Sequence, residues 1–417
     1  MKLPSLLCFS LAAWVTTAAG MDDWLDRVDE ALTLSADHDR MRARLSGSVD
    51  LEDYAFHGPA PGLIYTDKSN LFNPRFILFL DSQYGAHFYL FAQARADHGF
   101  DPGEGRMQLR FDEYALRLTP GDKGRFNLQL GKFATIVGNW VPRHHAWDNP
   151  FITAPLPYEN LTGVWDTVAA NSANTLLVWA HVKPSPYGGD EYSDKSRRIP
   201  VIWGPGYASG AAVTGVIDRV DYAVEIKNAA LSARPEIWDA AQTQWQHPTF
   251  SGRLGYRPDA RWNFGFSAST GTYLRASAQP TLAAGHTLDD YREVVLGQDI
   301  SYAWHHFQFW AEFFATRFEI PRVGTAGTFA YYLEAKYRFT PQFSGALRWN
   351  QQLFANLADG RGGRAAWGRE GWRVDAAPAW RFTAHTQFKL QYSVIHDPVP
   401  ARPATAHLAA AQFTVRF

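Results

Sequence analysis

The stretch Arg42-Ala43-Arg44-Leu45-Ser46-Gly47-Ser48-Val49-Asp50-Leu51-Glu52 decides the fold. Charged or hydroxyl side chains alternate with apolar or small ones. Successive side chains of a β-strand point to opposite faces, so this period of two gives one polar and one apolar face. The pattern recurs. Residues 86–97 set His87, Tyr89, Gln93, Arg95 and Asp97 against Phe88, Leu90, Ala92, Ala94 and Ala96. Residues 306–317 set Gln308, Glu312 and Thr316 against Phe307, Phe309, Ala311, Phe313 and Ala315. Residues 331–339 set Glu334, Lys336 and Arg338 against Tyr331, Leu333, Ala335, Tyr337 and Phe339. The chain ends on Gln412, Thr414 and Arg416 against Ala411, Phe413, Val415 and Phe417.

A half-buried soluble sheet also alternates. Three features favour a membrane instead. The apolar face recurs in nearly every strand, and no segment reads as buried on both faces. Strands run about 10–14 residues, which suits a tilted span of the bilayer. Connections alternate short and long. Backbone groups in lipid must all be paired, so only a closed barrel satisfies this reading. Composition agrees. Of 417 residues only 19% are charged, while 15% are aromatic. Beyond the first 20 residues no apolar run exceeds that of Phe76-Ile77-Leu78-Phe79-Leu80. A spanning helix needs about 20 predominantly apolar residues, so a helical membrane protein is excluded. A net charge of −1 offers no basic face for nucleic acid.

Residues 1–20 read as an export signal. Lys2 is the positive start, Leu6 to Val15 the apolar stretch, and Ala18-Ala19-Gly20 the small residues before a cut near Met21. The single cysteine, Cys8, lies inside this leader. The mature chain then has no disulfide, Cys-ligated zinc or thiol nucleophile. That fits a bacterial periplasm or outer membrane. Residues 21–40 form an N-terminal periplasmic segment. Within it Trp24, Leu25, Val28, Ala31 and Leu32 share one helical face, which predicts a short helix over 22–34.

The barrel is expected over 41–417. Short connections fall at Tyr84-Gly85, Pro120–Gly124, Asn171–Asn174, Asp218-Arg219, Asp259-Ala260, His305, Thr340-Pro341 and Ala384-His385. Long ones fall near 57–71, 98–105, 136–160, 185–207, 232–248, 271–290, 320–327, 356–370 and 397–406. These connections join 18 strands, with both termini on the periplasmic side. Strands 161–169 and 208–217 carry the weakest patterns, so 16 is the alternative count.

Two pieces give a resemblance. One is the terminal strand Ala411-Gln412-Phe413-Thr414-Val415-Arg416-Phe417. The other is Leu130-Gly131-Lys132-Phe133 followed by Gly138. With the architecture of 41–417, the chain resembles Gram-negative outer-membrane porins. The resemblance implies a water-filled lumen, outer-membrane lipid around it and small hydrophilic solutes inside. It implies that the barrel-assembly machinery reads the last strand through Phe417. Porins of this type are often homotrimers, and the Ala-rich faces at 92–96 and 409–411 are compatible with that.

In many porins the third loop folds inward. By loop order, 136–160 is the expected constriction, with Trp140, Arg143, His144, His145, Trp147 and Asp148 lining it. The loop tryptophans, with Trp203, Trp238 and Trp245, suggest a preference for sugars. The polar faces nominate a lumen wall: Arg42, Arg44, Asp50, Glu52, Arg95, Arg110, Asp112, Glu225, Glu312, Glu334, Arg338, Arg348 and Arg416. Opposed charges across a pore tune selectivity. Adjacent His144 and His145 lack an evident third ligand, so no metal site is expected. Gly-x-Ser-x-Gly, His-Glu-x-x-His and phosphate-loop motifs are absent, so neither enzyme nor cofactor is expected. The sequence therefore reads as a porin for passive diffusion. The alternative is a non-transport surface barrel or a polysaccharide-export barrel.

Overall fold

An apolar face repeated on nearly every strand of a closed sheet whose inner face is polar has to point outward. The computed structural model obeys that constraint. It describes residues 20–38, 40–58, 60–97, 107–121, 124–182, 195–239, 245–359, 362–398 and 404–417. The expected signal lies outside these residues except for Gly20, as does the expected loop at 98–105.

Helix α1 (residues 20–31) leads into a short strand, β1 (Thr33–Ala36). Then come β2 (Met41–His57), β3 (Asn70–Tyr84), β4 (Phe88–Asp97), β5 (Gln108–Leu118) and β6 (Asn127–Phe133). Helix α2 (Ala173–His181) lies in the long connection that follows. The chain continues with β7 (Ala208–Ile217), β8 (Val220–Lys227), β9 (Thr249–Tyr256), β10 (Trp262–Thr272), β11 (Arg292–Trp304), β12 (Phe307–Ile320), β13 (Gly324–Arg338) and β14 (Phe343–Phe354). A small outer hairpin, β15 (Asn356–Ala358) and β16 (Arg364–Ala366), precedes β17 (Gly371–Arg381), β18 (Thr386–His396) and β19 (Thr405–Arg416). All main-sheet neighbours are antiparallel. The last strand returns to the first long one, with Gln412 opposite Glu52 and Thr414 opposite Asp50. The main sheet has 17 strands; setting aside β1, which pairs with β2, sixteen close the barrel.

Sixteen is the alternative count of the sequence reading, and 18 is corrected. The expected strand at 161–169 makes one isolated bridge, Trp165 to Arg198. The expected turn at Asn171–Asn174 is the start of α2. There the Ser172 hydroxyl accepts the Thr175 amide at 3.2 Å. The run Leu176-Leu177-Val178-Trp179-Ala180 is apolar throughout, and periodicity cannot separate such a run from a buried strand. The Ser cap decides for helix. Residues 208–217 do form a strand. The connections expected at 136–160 and 185–207 are therefore parts of one, spanning 134–207.

The N-terminal segment also differs in detail. The helix ends at 31 because Thr33–Ala36 pairs with Met41–Arg44. Asp37 and His38 take positive φ (54° and 51°) in the turn between them. Of the expected helical face only Leu25 is buried, and Trp24 is exposed. Polar contacts hold α1 in place. Asp29 accepts Arg44 at 2.8 Å, and Asp26 meets the His385 ring at 2.9 Å.

Outward residues such as Leu78, Leu109, Phe266 and Leu296 are exposed, forming the apolar belt. Two local devices shape the wall. A bulge opposite Gln93 and Ala94 lets β5 turn both Asp112 and Glu113 inward. In β6, Gly131 takes φ +137°, where a Cβ would run into the Tyr114 carbonyl and Ala115. Gly131→Val is expected to prevent closure between β5 and β6. Heat-modifiable migration of the refolded protein would then be lost, while Gly85→Ala in an open turn would keep it. A pH effect belongs to α1. Burial opposes charge on His385, but its bonds to Asp26 and the Arg416 carbonyl prevail and raise its pKa. The charged contact is complete below pH ~6.5 and lost as pH rises through the raised value. Protease nicking of residues 20–38 should increase over that range, and Asp26→Asn should remove the pH dependence.

Candidate functional site

Alternation places every nominated wall residue on the inward face, by register with its neighbours: Arg44 faces Asp81, Glu225 faces Ser251, Glu312 faces Asp299 and Glu334 faces Arg348. These residues divide by depth. Arg42, Arg44, Arg338 and Arg416, at the short-turn end, are exposed. Asp50, Glu52, Asp112, Glu225, Glu312, Glu334 and Arg348 are no more than 1% exposed. Arg95 and Arg110 both bind Asp112, at 2.7 and 3.0 Å. A wide barrel leaves an aqueous lumen unless something fills it. Here the connection after β6 does.

That connection enters at Gly138, whose φ is +83° and whose missing side chain leaves room for Glu312 and the Tyr158 hydroxyl. The Glu312 carboxylate then accepts the Asn139 amide, the Trp140 amide at 3.2 Å and the Tyr158 hydroxyl at 2.8 Å. Arg143 bonds to Glu334 and to the Tyr332 hydroxyl, with its guanidinium 4.4 Å from the Trp310 ring centre. Arg348 reaches from β14 to the Thr153 carbonyl at 3.1 Å and to Asp375 at 2.9 Å. Arg373 joins Glu159 to the wall. Lys389 donates to the Ala146 and Asn149 carbonyls at 2.6 and 2.9 Å. Gln391 accepts the Ile152 amide at 2.7 Å. On the opposite wall Glu225 accepts the Thr135 hydroxyl at 2.8 Å, and Glu113 the Ala134 amide at 2.8 Å. The segment thus spans the lumen and is anchored to both sides.

The six loop candidates separate. Trp140 is buried against Tyr158, and Arg143 is a wall anchor. His144 uses one ring nitrogen on the Val141 carbonyl and the other on the Tyr207 hydroxyl. His145 sits edge-on to Phe79 of β3. Two guanidiniums lie over the Trp147 ring, Arg381 at 4.4 Å and Arg416 at 3.9 Å. Asp148 is exposed. Among the described residues no group of three or more His, Cys, Asp or Glu converges as a metal site would. The structure adds Arg373, Asp375, Lys389, Gln391, Glu113 and Tyr332 as anchors. All lie on inward faces, and the period-two pattern was a usable signal for each except Glu113, which the bulge in β5 turns inward out of period. Their partners in the loop had no such signal.

Over the long-loop end, several connections share one apolar cluster. Trp165 and Trp179 stack at 4.0 Å and 3°. Trp203, Trp238, Tyr273 and Trp367 are buried in the same cluster. Trp203 and Trp238, expected to meet sugars, instead pack against other loops. Trp245 is exposed.

No family model and no curated protein sequence matches the chain. Solved structures do. Salmonella typhi OmpF, in complex with daunomycin, aligns at 11% identity and TM-score 0.55, over 92% of this chain and 100% of its own. An anion-selective porin from Comamonas acidovorans aligns at 10% and 0.55, over 90% and 100%. The trimer form of Vibrio cholerae OmpT aligns at 9% and 0.55, over 91% and 100%. The chain has the fold of the outer-membrane porins. At this identity the likeness speaks to the fold alone.

Glu312→Ala would leave two amides and a hydroxyl without their buried acceptor. It is expected to cost about 3 kcal/mol. Protease should then cut within 134–160 of a barrel whose far-ultraviolet circular dichroism is unchanged.

Proposed function

We propose that the protein is a porin-type channel for small hydrophilic solutes, narrowed by the described inner part of the connection after β6 rather than by a short loop. The supporting observation is the double anchoring of this segment, to β5 and β8 on one side and to β12–β18 on the other. What stays open at the short-turn end is a vestibule. One hollow of about 410 Å³ lies beside Tyr89, Arg117, Gln129 and His144. That hollow mixes Phe79, Tyr89, Phe91 and Phe133 with Asp81, Glu113 and Arg117. The exposed wall residues of the short-turn end, Arg42, Arg44, Arg338 and Arg416, are cationic, so we read selection by charge ahead of a sugar preference. In the same reading, residues 1–20 are the export signal, lipid surrounds the barrel, and the assembly machinery reads the strand ending at Phe417. Three copies assemble, as the trimer form of OmpT does. The role is conduction, not catalysis.

A second reading, a non-conducting surface barrel, draws on the tryptophan-rich cluster over the long-loop end. Planar-bilayer recordings of the refolded mature protein separate the two. The channel reading expects small, stable steps that grow severalfold when Glu312→Ala or Arg348→Ser loosens the segment. Absence of steps from folded wild type and from both variants would overturn it in favour of the closed barrel.

A further inference from the structure

We propose that the hollow between β13 and β18, at the short-turn end of the lumen, is a binding site for a phosphate group. The register builds it. One inward row runs Arg338, Ser344, Ala379, Lys389 across β13, β14, β17 and β18. The next runs Lys336, Ala346, Ala377. Both rows thus carry only Ser or Ala on the two middle strands. Adjacent strands lie about 4.8 Å apart, so the first row spans about 14 Å with a gap at its centre. The gap is a hollow of about 100 Å³, capped by Trp147 and Asn149 of the inner segment. Arg381, from the end of β17, enters beside Trp147.

The charge around this hollow is one-sided. Lys336, Arg338, Arg381 and Lys389 line it, and no carboxylate does. Lys389 is engaged with loop carbonyls and supplies field rather than bonds. Arg381 has a long contact with Gln387, at 3.5 Å. Two acids act from outside the lining: Asp148, on both Lys336 and Arg381, and Glu334, which Arg143 already binds, on Lys336. Two guanidinium forks and an ammonium therefore line the gap, together with the Ser344 hydroxyl and the Asn149 and Gln387 side chains, the latter also donating to the Ala146 carbonyl. Guanidinium forks match the paired oxygens of phosphate, and three cations suit a doubly charged anion better than a singly charged one. The Trp147 ring restricts Arg381 from one face, reducing the freedom lost when an anion binds. Binding here stands apart from conduction, so an equilibrium measurement tests it.

The experiment is calorimetric titration of the refolded full-length mature protein in micelles. The probes are inorganic phosphate and glucose 6-phosphate, with acetate as comparator. Saturable binding of phosphate, of the phosphomonoester or of both is expected, with acetate at least tenfold weaker. Either probe alone supports the site and tells whether the group is read free or on a larger solute. Arg338→Gln and Arg381→Gln should each weaken binding about tenfold. Ser344→Glu, which puts a carboxylate between the cations, should abolish it. Arg219→Gln, in a distant turn, should bind as wild type does. No binding of either probe, acetate binding as well as phosphate, or unchanged affinity in Arg338→Gln, Arg381→Gln and Ser344→Glu would overturn the proposal.

Discussion

The rest of the structure depends on burying the charged inner wall against the segment 134–207. Charged groups taken out of water cost several kcal/mol each unless matched partner by partner. Here the matching is dense. Glu312 collects two loop amides and a hydroxyl, and Arg348 sits between Asp375 and the Thr153 carbonyl. Lys389 and Gln391 satisfy backbone that no strand pairs. The irregular part of such an inner segment can lie inside a barrel only on these terms, because its backbone groups need partners as much as the wall's side chains do.

This constraint orders the remaining features. Gly138 exists so that the chain can turn against Glu312. The bulge in β5 adds a second inward carboxylate where the segment begins. The apolar cluster around Trp165 and Trp179 holds the part of the segment that rises above the wall. Where the segment reaches lowest, at Trp147 and Asp148, wall cations outnumber acids, and the short-turn end carries net positive charge although Arg44 is paired with Asp29. Packing above and unbalanced charge below come from one length of chain.

Much of the wall was legible in the sequence. The alternation at 42–52, 331–339 and 411–417 is a direct image of an apolar outer face on one side and a polar lumen on the other. The nominated wall residues share the inward rows of the sheet, and seven of the eight short turns fall at strand ends. The eighth, at 171–174, failed because a continuous apolar run looks alike in a buried helix and a buried strand. Its misreading made two extra strands and divided one long segment into two loops. The tryptophans misled for a related reason. Composition shows that they are abundant, but not which neighbour each ring meets.

The sequence by itself determined the barrel, its inward and outward faces and the places where the wall turns. These follow from local chemistry that repeats every two residues. Only the tertiary structure decided which wall charges are buried, which loop groups bind them and which cations stay open. Those outcomes depend on contacts between residues far apart in the chain, such as Arg143 with Glu334 and Arg373 with Glu159. No local period records them, because an irregular segment has no repeating face to present.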